Sequence, residues 1–190
     1  FINMGYDIYG LNPRQHKEKP DILKKEYGDL DKEEQEKYWD IKSEYEQETP
    51  GIYFRNNVWW WRPLWDYIID ISGELLTQEQ RQGGYENSCM QIPGNITRAI
   101  ARRLSHEISS GNHKRYETEY REAIKNLELE DCEYCETTGQ RDLGDGEMKD
   151  CNACRGKGQK ESWEANYPFD AQNVEEFRVF LEQSGGIQIC

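Results

Sequence analysis

Four cysteines carry the clearest chemistry in this chain. They stand as Cys132-Glu-Tyr-Cys135 and Cys151-Asn-Ala-Cys154. Two CxxC pairs a short loop apart can wrap one tetrahedral zinc in four thiolates. The two residues inside each pair let the backbone turn so that both sulfurs point at one ion. A glycine soon afterwards suits a turn that needs a positive φ. Four thiolates leave no open position for water, so a hydrolytic metal is not expected. The competing reading is a redox dithiol or a pair of disulfides. A thioredoxin-like CxxC sits at a helix start after a strand, and one copy suffices; two copies with trailing glycines favour a structural zinc. Lys149, Arg155 and Lys157 flank the cysteines and would offset the negative charge of the thiolates.

The fuller text reads Cys132-Glu-Tyr-Cys135-Glu-Thr-Thr-Gly139 and Cys151-Asn-Ala-Cys154-Arg-Gly156-Lys-Gly158. It resembles the CxxCxGxG repeats of the cysteine-rich region in DnaJ-type (Hsp40) co-chaperones. The second copy matches in full, whereas the first has Thr137 where the family has its first glycine. The resemblance covers about Cys132 to Gly158. It implies one zinc, shared by Cys132, Cys135, Cys151 and Cys154 at the tip of a two-stranded ribbon. The family usually carries four repeats and two zincs, and this chain has two repeats. The His-Pro-Asp tripeptide by which those co-chaperones stimulate Hsp70 is absent, so chaperone activity is not implied.

A second unusual stretch is Tyr53-Phe-Arg-Asn-Asn-Val-Trp-Trp-Trp-Arg-Pro-Leu-Trp65. Three consecutive Trp cannot all face one core, so at least one ring should reach a surface or groove. Arg55, Asn56, Trp59, Trp60 and Arg62 are therefore candidates for contact with a ligand or partner, by stacking and forked hydrogen bonds. The plainer reading packs the rings beneath the acidic helix and the C-terminal elements. This run, with the opening MGYDIYGLNP, resembles an uncharacterised group of phage and environmental bacterial proteins, a resemblance that implies no activity. The histidines, His16, His106 and His113, lie in no HExxH motif or nucleophile elbow. His106 and Glu107 read as a surface pair. Asp66 and Asp70, at i and i+4, share a helix face and could act with Asp7 if all three met in a cleft. There is no P-loop or GxGxxG.

The elements that must position these residues are set by the rest of the 190-residue chain, long enough for one compact domain and a small appendage. A mean hydropathy of −1.06 borders on that of disordered chains, but six Trp and twelve Tyr argue for a fold with long solvated helical faces. The net charge of −13 opposes broad nucleic-acid binding, although Arg98, Arg102 and Arg103 cluster. Met4 looks like a natural start, with neither a secretory signal nor a membrane-length apolar run. Cys89 and Cys190, far apart in sequence, are left over. A reducing, cytoplasmic location is the simplest expectation, with a phage-encoded intracellular protein as a variant of it.

Tyr6–Tyr9 alternates as a short strand, and Ile187–Ile189 could pair with it. Residues 14–29 read as an extended connection. Asp31 caps an acidic helix that Pro50 ends, its apolar stripe (Tyr38, Ile41, Tyr45) too narrow for a core. Pro63 suits the first turn of a buried helix through Leu64, Trp65, Ile68 and Ser72, and Gly83-Gly84 breaks the chain. Asn95 caps a helix that stops at Gly111, and another runs from about His113 to Leu127. Asn173-Val-Glu-Glu176 reads as a helix start, with Gly185-Gly186 as its stop. The expected fold is α+β: residues 1–130 and 159–190 form a mostly helical domain with a small sheet, and residues 131–158 form an inserted DnaJ-like zinc ribbon. The expected function is that of a non-enzymatic binding or adaptor module with an unknown protein or small-molecule partner. The alternatives are an enzyme with a pocket near Arg55, Asn56 and Asp66, or an acidic nucleic-acid mimic using Asp31 to Glu48.

Overall fold

The computed structural model describes residues 5–14, 17–86, 88–144 and 146–190. Met4 and His16 lie outside them. In chain order the elements are β1 (Gly5–Gly10), α1 (Asp21–Lys24), α2 (Lys32–Glu48), β2 (Tyr53–Asn57), α3 (Val58–Ser72), α4 (Gln78–Gly83), β3 (Met90–Pro93) and α5 (Gly94–Ser109). Then come α6 (Asn112–Lys125), β4 (Glu130–Asp131), β5 (Gln140–Asp142), β6 (Met148–Asp150), β7 (Gln159–Lys160), α7 (Ala171–Ser184) and β8 (Gly186–Ile189). They form two compact units, Phe1–Lys114 with Asp170–Cys190, and Arg115–Phe169.

The first unit is an α+β structure around a four-stranded antiparallel sheet in the order β2-β1-β8-β3. The expected pairing of the N-terminal strand with the C-terminal one is present, with Ile8 opposite Ile189. Period-two alternation sends Ile8, Ile92, Ile187 and Ile189 into the core. There they join Phe177, Phe180 and Leu181 of α7 and Ile100 and Leu104 of α5. α2 is a surface helix with no buried residue, and Asp31 and Glu34 close a reciprocal capping box at its start.

Three helix boundaries differ from the sequence expectation. α3 starts at Val58, because the side chain of Asn57 accepts the Trp60 N–H. Pro63 is thus inside the helix, where it withholds the N–H that the Trp59 carbonyl would otherwise receive. α5 begins at Gly94 with no side-chain cap, so Asn95 already lies within it. α7 is capped by Asp170. Asn173, the expected cap, instead bridges to the core: it accepts from Asn56 (2.8 Å) and donates to the Trp60 carbonyl (3.4 Å).

The Gly83-Gly84 break has a packing cause. Trp61 and Trp65 stack with ring centroids 5.6 Å apart, and their indole N–H groups donate to the carbonyls of Gly84 and Arg81. A Cβ on Gly84 would lie 2.0 Å from the Trp65 ring, so only glycine fits there. Cys89 and Cys190, left unpaired by the sequence reading, form a disulfide. They sit one step beyond the Met90–Ile189 pair of β3 and β8, a register that sequence alone could not supply.

The second unit carries the cysteines. Within it, Tyr116 and Tyr120 of α6 pack on Phe169, and Tyr120 donates to the Tyr167 carbonyl (2.9 Å). Two short antiparallel ladders follow, β4 with β7 and β5 with β6.

Candidate metal centre

Each CxxC pair occupies a tight turn built by backbone hydrogen bonds. In the first, the N–H groups of Cys135 and Thr137 donate to the Cys132 carbonyl (3.4 and 3.2 Å). In the second, the Gly156 N–H donates to the Cys151 carbonyl (3.2 Å), and that of Lys157 to the Cys154 carbonyl (3.1 Å). The turns are cross-linked, since Cys132 N–H donates to Gly158 (2.9 Å) and Cys151 N–H to Gly139 (2.8 Å). Gly139 and Gly158 hold positive φ at points where a Cβ would come within 2.4 Å of the Gly156 carbonyl and 2.2 Å of the Thr137 carbonyl. The glycines after the cysteines therefore serve both a left-handed backbone and a close approach of the two turns.

The four thiol sulfurs lie within 4.8 Å of one another and are buried. Cys132 and Cys151 are 3.9 Å apart at sulfur, and Cys135 and Cys154 are 3.7 Å apart. A tetrahedron with metal–sulfur distances of about 2.3 Å has edges of about 3.8 Å. The donor set thus fits one metal ion held by four thiolates. The Gly158 N–H adds a hydrogen bond to the Cys154 sulfur (3.3 Å), which orients that ligand and offsets its charge.

The thiols are not equivalent. Burial and the neighbouring thiols push Cys135 up to about 11, against the backbone N–H of Gly139. Burial also opposes ionisation of Cys151, but backbone N–H groups of Cys154 and Ala153, with the adjacent thiols, bring it down to about 7. Of these two, Cys151 offers a thiolate the more readily, while Cys135 gives up its proton only to a strong Lewis acid.

Around the centre, Tyr134 is more than half exposed, with Arg141 and Lys160 over its ring at 5.4 and 5.3 Å. Lys160 also pairs with Glu133 (3.1 Å), and Arg141 donates to Asn152 (2.6 Å). Tyr134, Leu129 and Trp163 border an open hollow of about 810 Å³ beside Cys154.

The other candidate residues do not converge. Arg55 and Asn56 are neighbours on β2 and face opposite sides of the sheet. Asn56 is buried against Asn173, while Arg55 is exposed beside Asp7 (3.9 Å). They therefore cannot line one pocket with Asp66. Trp61 is fully buried, and Trp59, Trp60 and Arg62 are half-buried. Asp66 accepts a hydrogen bond from the Tyr85 hydroxyl, and burial raises its pKa. His106 is exposed as expected, but Glu107 turns to Tyr67 (3.0 Å) and Asn112 (3.3 Å). His113, not singled out in the sequence, is buried between the Glu107 carbonyl (3.2 Å) and the Glu175 carboxylate (3.1 Å). Its partner lies 62 positions away, beyond any local motif. No helix among the described residues is long and apolar enough to cross a membrane. No family model, curated protein or solved structure matches the chain.

Proposed function

We propose that this protein is a non-enzymatic binding module in which one structural zinc, held by Cys132, Cys135, Cys151 and Cys154, rigidifies a surface that contacts a protein partner. One observation carries the metal's structural role. Among the described residues from 130 to 160, the buried ones are the four cysteines, Gly139 and Gly158. Such a segment has no apolar core, so metal binding supplies its folding energy. A four-thiolate ion has no free position for substrate, which favours scaffolding over catalysis.

The contact surface is best assigned to the aromatics the zinc would fix, Tyr134 and Trp163, since Trp61 and Trp65 are spent on the core. Exposed aromatic rings in a hollow whose rim mixes cations (Arg155, Lys157, Lys160) with carboxylates (Glu130, Asp131, Glu133, Glu161) suit a protein segment with apolar and mixed polar side chains. The net charge of −13 argues against nucleic acid as the partner. The test is affinity capture from the source cell with zinc-loaded wild-type protein and a Tyr134→Ala/Trp163→Ala variant that retains zinc. Partners lost from the variant alone support the reading. Identical captures, or turnover that requires the zinc, would overturn it.

A further inference from the structure

Several cations around α2 are committed, while Lys32 at its start has no ion pair among the described residues. Lys17 pairs with Glu48, Lys25 with Glu34, Lys37 with Glu33 (2.6 Å) and Lys42 with Glu46 (3.7 Å). Three carboxylates of that helix, Glu36, Asp40 and Glu44, are exposed and have no ion pair among the described residues. Their spacing is i, i+4, i+8, so they form one ladder along the outer face. In so acidic a chain an unpaired carboxylate ladder is unremarkable by itself. Its counterpart on α5 is the informative part.

Arg98, Arg102 and His106 are also exposed, also free of ion pairs among the described residues, and also spaced i, i+4, i+8. The two ladders have the same pitch, about 6 Å per step, and Arg98 and Arg102 are opposite in sign to the carboxylates. Each is bordered by an apolar feature. Trp39, 59% exposed, stands beside the acidic ladder. Along the basic ladder runs an open hollow of about 510 Å³, lined by Ile71, Leu75 and Ala99 together with Arg102, His106 and Glu107, with Arg103 at its wall donating to the Ile71 carbonyl (2.6 Å).

The handedness of the α-helix decides whether these features can meet. Seen from outside with the N-terminus down, residue i+1 lies to the right of i, and i+3 lies to its left. Trp39 follows Glu36 by three and lies left of the acidic ladder. Ala99 and Arg103 follow Arg98 and Arg102 by one, so the hollow lies right of the basic ladder. Two helices facing each other in parallel exchange left and right. Glu36, Asp40 and Glu44 then oppose Arg98, Arg102 and His106 in order, and Trp39 falls on the side of the hollow. An antiparallel pairing puts the Trp on the wrong side.

We infer that the protein self-associates, α2 of one copy docking in parallel on α5 of another, with Trp39 seated in the hollow at Ile71, Leu75 and Ala99. Exposed ion pairs alone bind weakly; the seated Trp supplies the anchor, and the ladders supply register and choice of partner. The interface is independent of the metal centre and of its proposed partner.

The test is sedimentation velocity on the zinc-loaded full chain, up to about 300 µM in about 20 mM salt, with wild type, Asp40→Lys, Arg102→Glu and Trp39→Ala. Wild type should associate, and added salt should weaken the association. Each charge reversal should weaken it about tenfold or more, as should Trp39→Ala. Asp40→Lys and Arg102→Glu mixed in equal amounts should associate again, because every α2–α5 contact between unlike copies is then complementary. All three positions are exposed, and circular dichroism checks that the fold is kept. A wild-type monomer throughout, association indifferent to both reversals, or a mixture no better than its components would each overturn the inference.

Discussion

Thr137 and Gly156 occupy equivalent places, five residues after the first cysteine of their respective turns, and both hold a positive φ, 66° and 77°. Glycine reaches this conformation freely, whereas a β-branched residue is strained there by about 1 kcal/mol or more. The departure of the first repeat from the glycine pattern is thus absorbed as backbone strain, with no change of geometry.

Thr137→Gly should accordingly tighten metal binding several-fold, with part of the gain returned to the freer unfolded chain. Gly158→Ala should do the reverse, because its Cβ would lie 2.2 Å from the Thr137 carbonyl. Competition with a chromogenic chelator measures both. Equal affinities for wild type and Thr137→Gly would show that the strain is absent in solution.

Metal loading should release protons in a pH-dependent number. Cys135, raised to about 11, loses its proton on loading at any pH from about 6 to 9. Cys151, at about 7, is mostly protonated at pH 6 and mostly thiolate at pH 8, so its share of the release falls by about 0.8 proton between them. Affinity rises with pH over the same interval, since fewer protons compete with the ion. Titration calorimetry in buffers of different ionisation enthalpy reads the count, and a constant count would contradict the assignment of Cys151.

Removing the Cys89–Cys190 disulfide should destabilise the sheet unit. It closes a span of 101 residues; disulfides typically bring about 2–4 kcal/mol, and the unfolded-chain entropy of a loop of about 100 residues sets an upper figure of about 4.7 kcal/mol. Denaturant melts of a Cys89→Ser/Cys190→Ser variant, compared without reductant so that the metal centre is unaffected, give the difference directly. Unchanged midpoints would mean that the two thiols are not joined in solution.

Asp66 should make the fold slightly less stable as pH rises. Burial raises its folded pKa, against the hydrogen bond from Tyr85. The folded state therefore holds the proton more tightly than the unfolded chain does. Stability is highest below the unfolded carboxylate range and declines as pH passes up through the folded value. Asp66→Asn should remove that decline and gain no more than about 0.5 kcal/mol at neutral pH, because the carboxylate still reaches solvent. Urea melts from pH 3 to 7 test it, and a steeper decline in the variant would reverse the sign.

What was legible in the sequence was local. Ligand spacing within each CxxC pair is set by a single turn, so the cluster of Cys132, Cys135, Cys151 and Cys154 could be read without a structure. The Asp31 cap and the Gly185 stop are likewise decided within one helical turn. What escaped depends on distant partners. Asn173 has the residue type and setting of a cap, but Asn56, 117 positions away, draws it into the core. Pro63 marks a helix start by propensity, yet Asn57 caps six residues earlier because β2 ends there. The triple Trp could not be assigned ring by ring: Trp61 is buried and Trp59 and Trp60 are half-buried, and the indole partners of Trp61 and Trp65, Gly84 and Arg81, are chosen by packing.

The strand order β2-β1-β8-β3 places the latest-made strand between two earlier ones. As the chain leaves the ribosome, β1 and β3 have no strand to join them until β8 emerges. The cysteine turns, by contrast, are complete some thirty residues sooner and need only an ion. Biosynthesis thus favours an order of events in which metal capture comes before sheet closure. A cell short of the metal would then hold an unfolded cysteine segment on the nascent chain before the sheet unit has closed.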